Sequence, residues 1–221
     1  MPLLLNVPFN EKDEAKKKGA KWNPDYKKWS VWNRKDYQKF AKWFNNDDDT
    51  NIIICDHIYI IEANRKCFKC GKKTKVIGFG IEKYLLLYSA DLHDLDESEV
   101  EYIAEYYNKE INIASQISNL PKEIVDYIQN NYNYNMTYSK FTGTSYLANC
   151  CEHCDIIQGD HFLFSEVDSP FFMDSIQKAR NLKLYKFDLN YDIAVSGNVS
   201  WGSNDYLIKK YGEIIETGLK V

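Results

Sequence analysis

The chain has no apolar run approaching the roughly 18 residues that a membrane-spanning helix needs. Its opening stretch, Met1-Pro2-Leu3-Leu4-Leu5-Asn6, has neither a basic segment nor a long apolar core, so it does not read as a secretory signal. Together these absences lead us to expect a cytoplasmic protein with no membrane partner, in which thiols stay reduced. Three catalytic signatures are also missing: a Walker A loop, a Gly-x-Ser-x-Gly elbow and a His-Glu-x-x-His pair. His57 and His93 stand alone, and no internal repeat is present.

What is present is a globular composition. With 221 residues, 44% of them hydrophobic, the chain can bury a core without disulfide staples. Its net charge of −4 hides an asymmetry. Residues 1–45 hold 11 Lys/Arg against 5 Asp/Glu, a balance of +6, while the remainder holds 17 against 27, a balance of −10. The basic segment also carries Trp22, Trp29, Trp32 and Trp43, four of the five tryptophans. Charge and aromatics concentrated in this way mark a separate unit.

In that unit Leu3–Val7 reads as a strand ended by Pro8. A helix follows, with Asn10 as its cap, acids in its first turn and Lys16, Lys17 and Lys18 in its last. Gly19 suits a left-handed C-cap, Asn23-Pro24-Asp25 a turn, Lys28–Trp32 a second strand, and Asn33 the cap of a helix running to Phe44. The expected order is β-α-β-α over 1–45, with Asn45–Asp49 as a linker to a second unit over 46–221.

In the second unit Ile52–Ile61 predicts a strand broken near Asp56-His57, followed by strands over Lys75–Gly80 and Tyr84–Ser89. Gly78 and Gly80 are read as permitting strand bending. Asp96 and Glu99 form a capping-box pattern, and Val100, Ile103, Tyr107, Ile111 and Ala114 fall at helical spacing, which predicts a helical insertion over about 96–131. Pro121 opens its second helix, with Ile124, Val125 and Ile128 inward. A hairpin turned at Thr142-Gly143-Thr144, a strand over Ile156–Phe164, a short helix near Asp174–Asn181 and a strand over Lys183–Asp188 complete the reading. The fold class is α+β.

The most specific pattern is Cys67-Phe68-Lys69-Cys70 with Cys151-Glu152-His153-Cys154. Two residues between cysteines let both thiolates of a tight turn reach one metal, and two such turns supply a closed tetrahedral site for structural Zn2+. The long gap between the pairs adds closure entropy only logarithmically, so it is no objection to a zinc-ribbon-like domain with an insertion. A redox role for the pairs, ligation by Cys150 in place of Cys151 and ligation by His153 are the alternatives. Cys55, in a strand-like run, reads as a small buried hydrophobe.

Asn6-Val7-Pro8-Phe9, Glu11-Lys12-Asp13-Glu14-Ala15-Lys16, Gly19-Ala20-Lys21-Trp22-Asn23-Pro24 and Lys28-Trp29-Ser30-Val31 resemble a small domain of TraC-type plasmid primases and other mobile-element DNA-processing proteins. The likeness covers about residues 3–44 and implies a nucleic-acid context by association. No primase polymerase motif is present, so that activity does not carry over. The remainder resembles a zinc-knuckle protein in which the second Cys-x-x-Cys precedes Gln158-Gly159-Asp160. From the residues themselves, Lys12, Lys16, Lys17, Lys21 and Lys28 can form a phosphate-binding face, with Trp32 beside it to stack on bases. Trp22 and Trp29 are expected in the core.

The leading expectation is a non-enzymatic, zinc-containing nucleic-acid-binding protein of a mobile-element or phage–host DNA transaction. A protein-binding adaptor or inhibitor is the second reading, favoured by the acidic remainder. A metal-dependent nuclease using Asp160, His161 and Glu166 is the third.

Overall fold

The computed structural model describes residues 1–44, 50–89, 102–139 and 143–221. The expected linker Asn45–Asp49, the Asp96/Glu99 capping box and Thr142 of the expected turn lie outside the described residues.

The chain opens with β1 (Leu3–Leu5), a 3-10 turn over Phe9–Glu11, α1 (Lys12–Lys17), β2 (Lys21–Asn23), β3 (Lys28–Val31) and a 3-10 helix over Arg34–Trp43. The strands form an antiparallel sheet in the order β1-β3-β2, one strand more than expected. Asn23 closes the β2–β3 turn by accepting the Asp25 N–H at 3.0 Å. Asn10 is not a cap: the turn begins at the extended Pro8, so Asn10 is already inside it, and α1 starts from Glu11 without a side-chain cap. Asn33 does cap, accepting from the Lys35 N–H. The helix that follows is 3-10 because its buried residues, Tyr37, Phe40 and Trp43, recur every third position, which matches three residues per turn. These side chains, with Leu3, Leu5, Val31 and Phe44, are the core here. Trp22 and Trp29 are not: Trp22 is 54% exposed, and Trp29 sits half-buried at the rim. The buried face of the 3-10 helix, Tyr37, Phe40 and Trp43, fills that space instead.

The rest is built on a nine-stranded sheet. Its strands are β4 (Ile52–Ile54), β5 (His57–Lys66), β6 (Lys73–Ile81), β7 (Tyr84–Ser89), β8 (Tyr102–Tyr107), β9 (Asn112–Ser118), β12 (Lys183–Asp188), β13 (Ile193–Ser200) and β14 (Glu213–Lys220). They run in the order β14-β12-β5-β6-β9-β13-β4-β7-β8, antiparallel except for β12 and β14. A separate hairpin pairs β10 (Tyr134–Ser139) with β11 (Thr144–Asn149), and α2 (Lys122–Asn131), α3 (Ile176–Arg180) and α4 (Tyr206–Tyr211) pack around the sheet. No helix among the described residues is long and apolar enough to cross a membrane.

Both faces of the sheet are covered. In β5, Ile58 and Ile60 join the core that includes Ile124 and Ile128 of α2, while Tyr59, Ile61 and Ala63 join the core of Leu163, Ala179 of α3 and Ile208 of α4. This explains why the segment reads as a continuous apolar run. It also explains why, among the described residues of the expected insertion over 96–131, only Lys122–Asn131 are helical. Ile111 and Ile113 face one core and Ala114 the other, an alternation proper to a strand. With both faces apolar, the i, i+4, i+8 and i+11 matches from Ile103 to Ala114 arose without a helix. The strand expected over Ile156–Phe164 is likewise replaced, by one isolated bridge between Ile157 and Cys150 and a π-helical turn over His161–Ser165. Gly159, at φ +60°, turns the chain there, and Phe164 stacks on Phe171 at 4.9 Å. Gly78 makes room for that pair: a Cβ on it would sit 3.0 Å from the Phe164 ring.

The small sheet is fastened to the large one through Asp192, whose side chain is fully buried. Arg34 Nε and Nη2 donate to its two oxygens at 2.8 and 2.9 Å, and the Tyr37 hydroxyl donates at 2.8 Å. The Asp192 N–H donates to the Pro2 carbonyl at 2.8 Å. Ile53, Cys55, Leu85 and Leu87 of the sheet share the module's core.

Asp192→Ala leaves Arg34 without its bidentate partner and is expected to cost about 3 kcal/mol in urea denaturation. Removing the surface pair through Lys39→Ala should change stability by less than about 0.5 kcal/mol. Asp56, between β4 and β5, supplies a pH test. Burial raises its pKa, but Arg34 and Lys83 outweigh that and hold the carboxyl down at about 2. A depressed carboxylate stabilises the fold fully above its usual value of 3.8 and loses that contribution as pH falls towards 2. Urea midpoints of Asp56→Asn should therefore fall less steeply than those of the parent between pH 4 and pH 2.

Candidate metal centre

Cys67 and Cys70 lie on the tip of the β5–β6 hairpin, just beyond the Lys66–Lys73 pair that closes it. Cys151 and Cys154 lie on the turn that leaves β11, closed by the Cys150–Ile157 bridge. The two turns are built alike. The Gly71 N–H donates to the Cys67 carbonyl at 2.9 Å, and the Asp155 N–H to the Cys151 carbonyl at 3.0 Å. Gly71 and Asp155 both have positive φ, +72° and +55°. At the second position a side-chain bond helps hold the less tolerant residue, since Asn133 Nδ2 donates to Asp155 Oδ1 at 2.9 Å.

The four sulfurs lie within 4.8 Å of one another. Across the two turns, Cys67 and Cys154 are 3.8 Å apart and Cys70 and Cys151 are 3.7 Å apart. A tetrahedron with metal–sulfur bonds of about 2.3 Å has edges of about 3.8 Å. The cluster can therefore hold a metal ion, and its soft, closed donor set fits zinc. Among the described residues no other group of three or more such donors converges.

Surrounding groups favour thiolate at one sulfur. Burial opposes ionisation of Cys67, but the N–H groups of Cys70 and Lys69 and the Gln158 amide point at its sulfur and hold it down at about 6. Cys154 goes the other way. The Ile156 N–H favours its thiolate, yet desolvation and the three neighbouring sulfurs push it up to about 12. Four thiolates cannot crowd together without a cation between them. The shell around them is ordered. Gln158 is fully buried and donates to Cys67 Sγ at 3.5 Å, and the His153 N–H donates to Cys151 Sγ at 3.4 Å.

Four side chains dock the second turn onto β6. The Asn149 amide replaces a strand partner, accepting the Ile77 N–H at 2.7 Å and donating to the Ile77 carbonyl at 2.9 Å. Glu152 accepts the Lys75 N–H at 2.9 Å, and Thr74 accepts the Glu152 N–H at 3.0 Å. His153 is a docking group, not a ligand: its Nε2 lies 2.9 Å from the Lys73 carbonyl. Cys150 points to Thr137 and Ala148, away from the cluster, and Cys55 is buried, with burial pushing its thiol up. Asn149, Glu152 and Thr74 gave no sign in the sequence beyond adjacency to the cysteines. Gln158 stood out in its Gln-Gly-Asp triplet but without a role.

The candidate nucleic-acid residues lie together on the small module. Lys16, Lys17, Lys21 and Trp32 are exposed, Lys12 lies 3.9 Å above the Phe9 ring, and Lys28 donates to Asn6 Oδ1 at 2.8 Å. The candidate nuclease residues are not a cluster. Gln116 Nε2 donates to Asp160 Oδ2 at 2.6 Å, and burial raises the Asp160 carboxyl. His161 and Glu166 face each other at the surface, 3.8 Å apart.

Residues 3–45 match the model of a family described as a domain of unknown function (DUF5710). No curated protein and no solved structure matches the chain.

Metal analysis of the purified protein should find one zinc per chain. Cobalt substitution should give a thiolate charge-transfer band that Cys67→Ser and Cys154→Ser abolish and Cys150→Ser and Cys55→Ser leave intact. Asn149→Ala, which orphans two buried groups of Ile77, should lower stability by about 2 kcal/mol and speed zinc release to a chelator.

Proposed function

We propose that the protein binds nucleic acid through residues 3–44 and uses a structural zinc to join the two turns of the larger unit. A four-cysteine site has no open position for water or substrate, which makes the ion a strut and not a catalyst. The resemblance to mobile-element DNA-processing proteins supports a role in a mobile-element or phage–host DNA transaction.

One observation carries the nucleic-acid reading, and it concerns which cations are already matched. Arg34 is held by Asp56 and Asp192, Lys39 by Asp36, and Lys42 by Glu11 and Glu14. Lys18 pairs with Glu14. Among the described residues no carboxylate lies within ion-pair distance of Lys16, Lys17, Lys21, Lys27 or Lys28, which leaves them to attract phosphates. The acidic balance outside the module keeps a nucleic acid on this side of the molecule. It also supports the second reading, a protein-binding adaptor with a basic partner.

The test is fluorescence anisotropy of the zinc-loaded protein with labelled oligonucleotides over a salt series. Binding should weaken as salt rises, and in Lys16→Glu/Lys17→Glu the slope of log K against log salt should flatten by about 1–2. An absence of binding at low salt would overturn the proposal and direct the search to a protein partner.

A further inference from the structure

We infer that the nucleic acid taken by this module is single-stranded, and that Trp22 on edge strand β2 is the platform on which an unpaired base stacks. The inference rests on the nucleic-acid reading above and adds the class of ligand.

Cross-strand register places Leu5, Trp29 and Trp22 in one row across β1, β3 and β2. The row begins buried at Leu5, is half-buried at Trp29 and ends exposed at Trp22. The Trp22 ring meets Trp29 edge-on, 5.9 Å between centroids and 74° between planes. The indole is thus braced by a neighbour on the module's own core while over half of its surface stays open. Edge strands are ordinarily guarded by lysine, proline or a bulge, and Lys21 serves that purpose here. A large apolar ring beside it gives no such protection and adds exposed apolar surface. Such a ring is useful where a flat π surface must be met, and every base has one.

The unmatched cations point the same way. Lys16 and Lys17 close α1 just before β2, and Lys21 and Lys28 lie on the other face of the hairpin, one residue from Trp22 and opposite Asn23. Lys28 also lines a cavity of about 240 Å3 beside Tyr191, on which Tyr26 packs edge-on at 5.3 Å. A backbone crossing the edge strand at Trp22 has cations on the face beyond it.

A duplex reader is a poor match to these elements. Reading the major groove takes a helix or ribbon that carries free polar groups. Here α1 has only six residues and the longer 3-10 helix has Arg34, Lys39 and Lys42 tied to acids, which leaves the β2–β3 hairpin, whose lysines meet phosphate on either form of nucleic acid while its exposed Trp22 has a base to stack on only in a single strand. A duplex also keeps its bases stacked on one another, leaving nothing for Trp22 to hold.

The experiment titrates the full zinc-loaded chain with a labelled oligothymidylate and with a labelled duplex of equal length, for the parent, Trp22→Ala, Trp22→Phe and Trp32→Ala. Trp32 is 61% exposed and serves as the matched control. The single strand should bind at least tenfold tighter than the duplex. Trp22→Ala should weaken single-strand binding by about tenfold to a hundredfold without changing the salt slope, and Trp22→Phe should recover most of the loss. Trp32→Ala should have the smaller effect. Unchanged circular dichroism and zinc content will show that the variants fold. Equal, salt-dependent binding of both oligonucleotides, or binding indifferent to Trp22→Ala, would overturn the inference and leave the nucleic-acid reading standing. No binding to either would overturn both.

Discussion

Four sulfurs meeting within 4.8 Å are the constraint on which the larger unit depends. They come from two turns separated by 80 residues, and each turn is bent so that its own backbone N–H groups point at a sulfur. A cation held there would relieve their mutual repulsion and would tie the β5–β6 hairpin to the segment that leaves β11. The protein does not leave that closure to the ion alone. Asn149, Glu152 and Thr74 make the edge of β6 a docking line for the second turn, so the ligands converge on an already ordered frame. Such outer contacts set the geometry and basicity of ligands as much as the ligands do.

The meeting of the four cysteines was legible because a Cys-x-x-Cys turn is local chemistry: its spacing reports its geometry directly. Register and strand order were not legible, because they depend on what covers each face. β5 was recognisable as a strand from its β-branched run, but β8 and β9 were masked as a helix, since apolar residues on both faces satisfy a helical spacing by coincidence. Asp160 and His161 fall in the segment read as a strand over Ile156–Phe164, yet they open a π-helical turn that Gly159 and the Phe164–Phe171 stack impose. In the small module short-range signals gave the Asn33 cap and the left-handed Gly19, but not the absence of a cap at Asn10 or the short strand β2. The fate of its tryptophans did not, because burial there is a competition. Tyr37, Phe40 and Trp43 on a three-residue period occupy the core and leave Trp22 outside it.

Charge in the module is better understood by pairing than by count. An excess of +6 over residues 1–45 could describe a uniformly solvated surface. Pairing sorts it into two populations. Arg34 and Lys42 of the 3-10 helix are spent on fastening the module to the sheet and holding it together, whereas Lys16, Lys17 and Lys21 face solvent unmatched by any acid. The same side-chain type thus performs structural work on one side and remains available for a ligand on the other.

The bond network at Asp192 has a consequence for the order in which the chain can assemble. Arg34 and Tyr37 leave the ribosome more than 150 residues ahead of the carboxylate that accepts from them. At usual synthesis rates that interval is on the order of ten seconds. Throughout it the module has its own small core and the early strands β4 and β7 to lean on, while its charged clasp stays open to water. Only when β13 arrives in the middle of the sheet does the Asp192 carboxylate close over the module. The nascent protein thus passes through a stage in which its two units are adjacent but not yet locked, and the lock is set by one of the later residues to be translated.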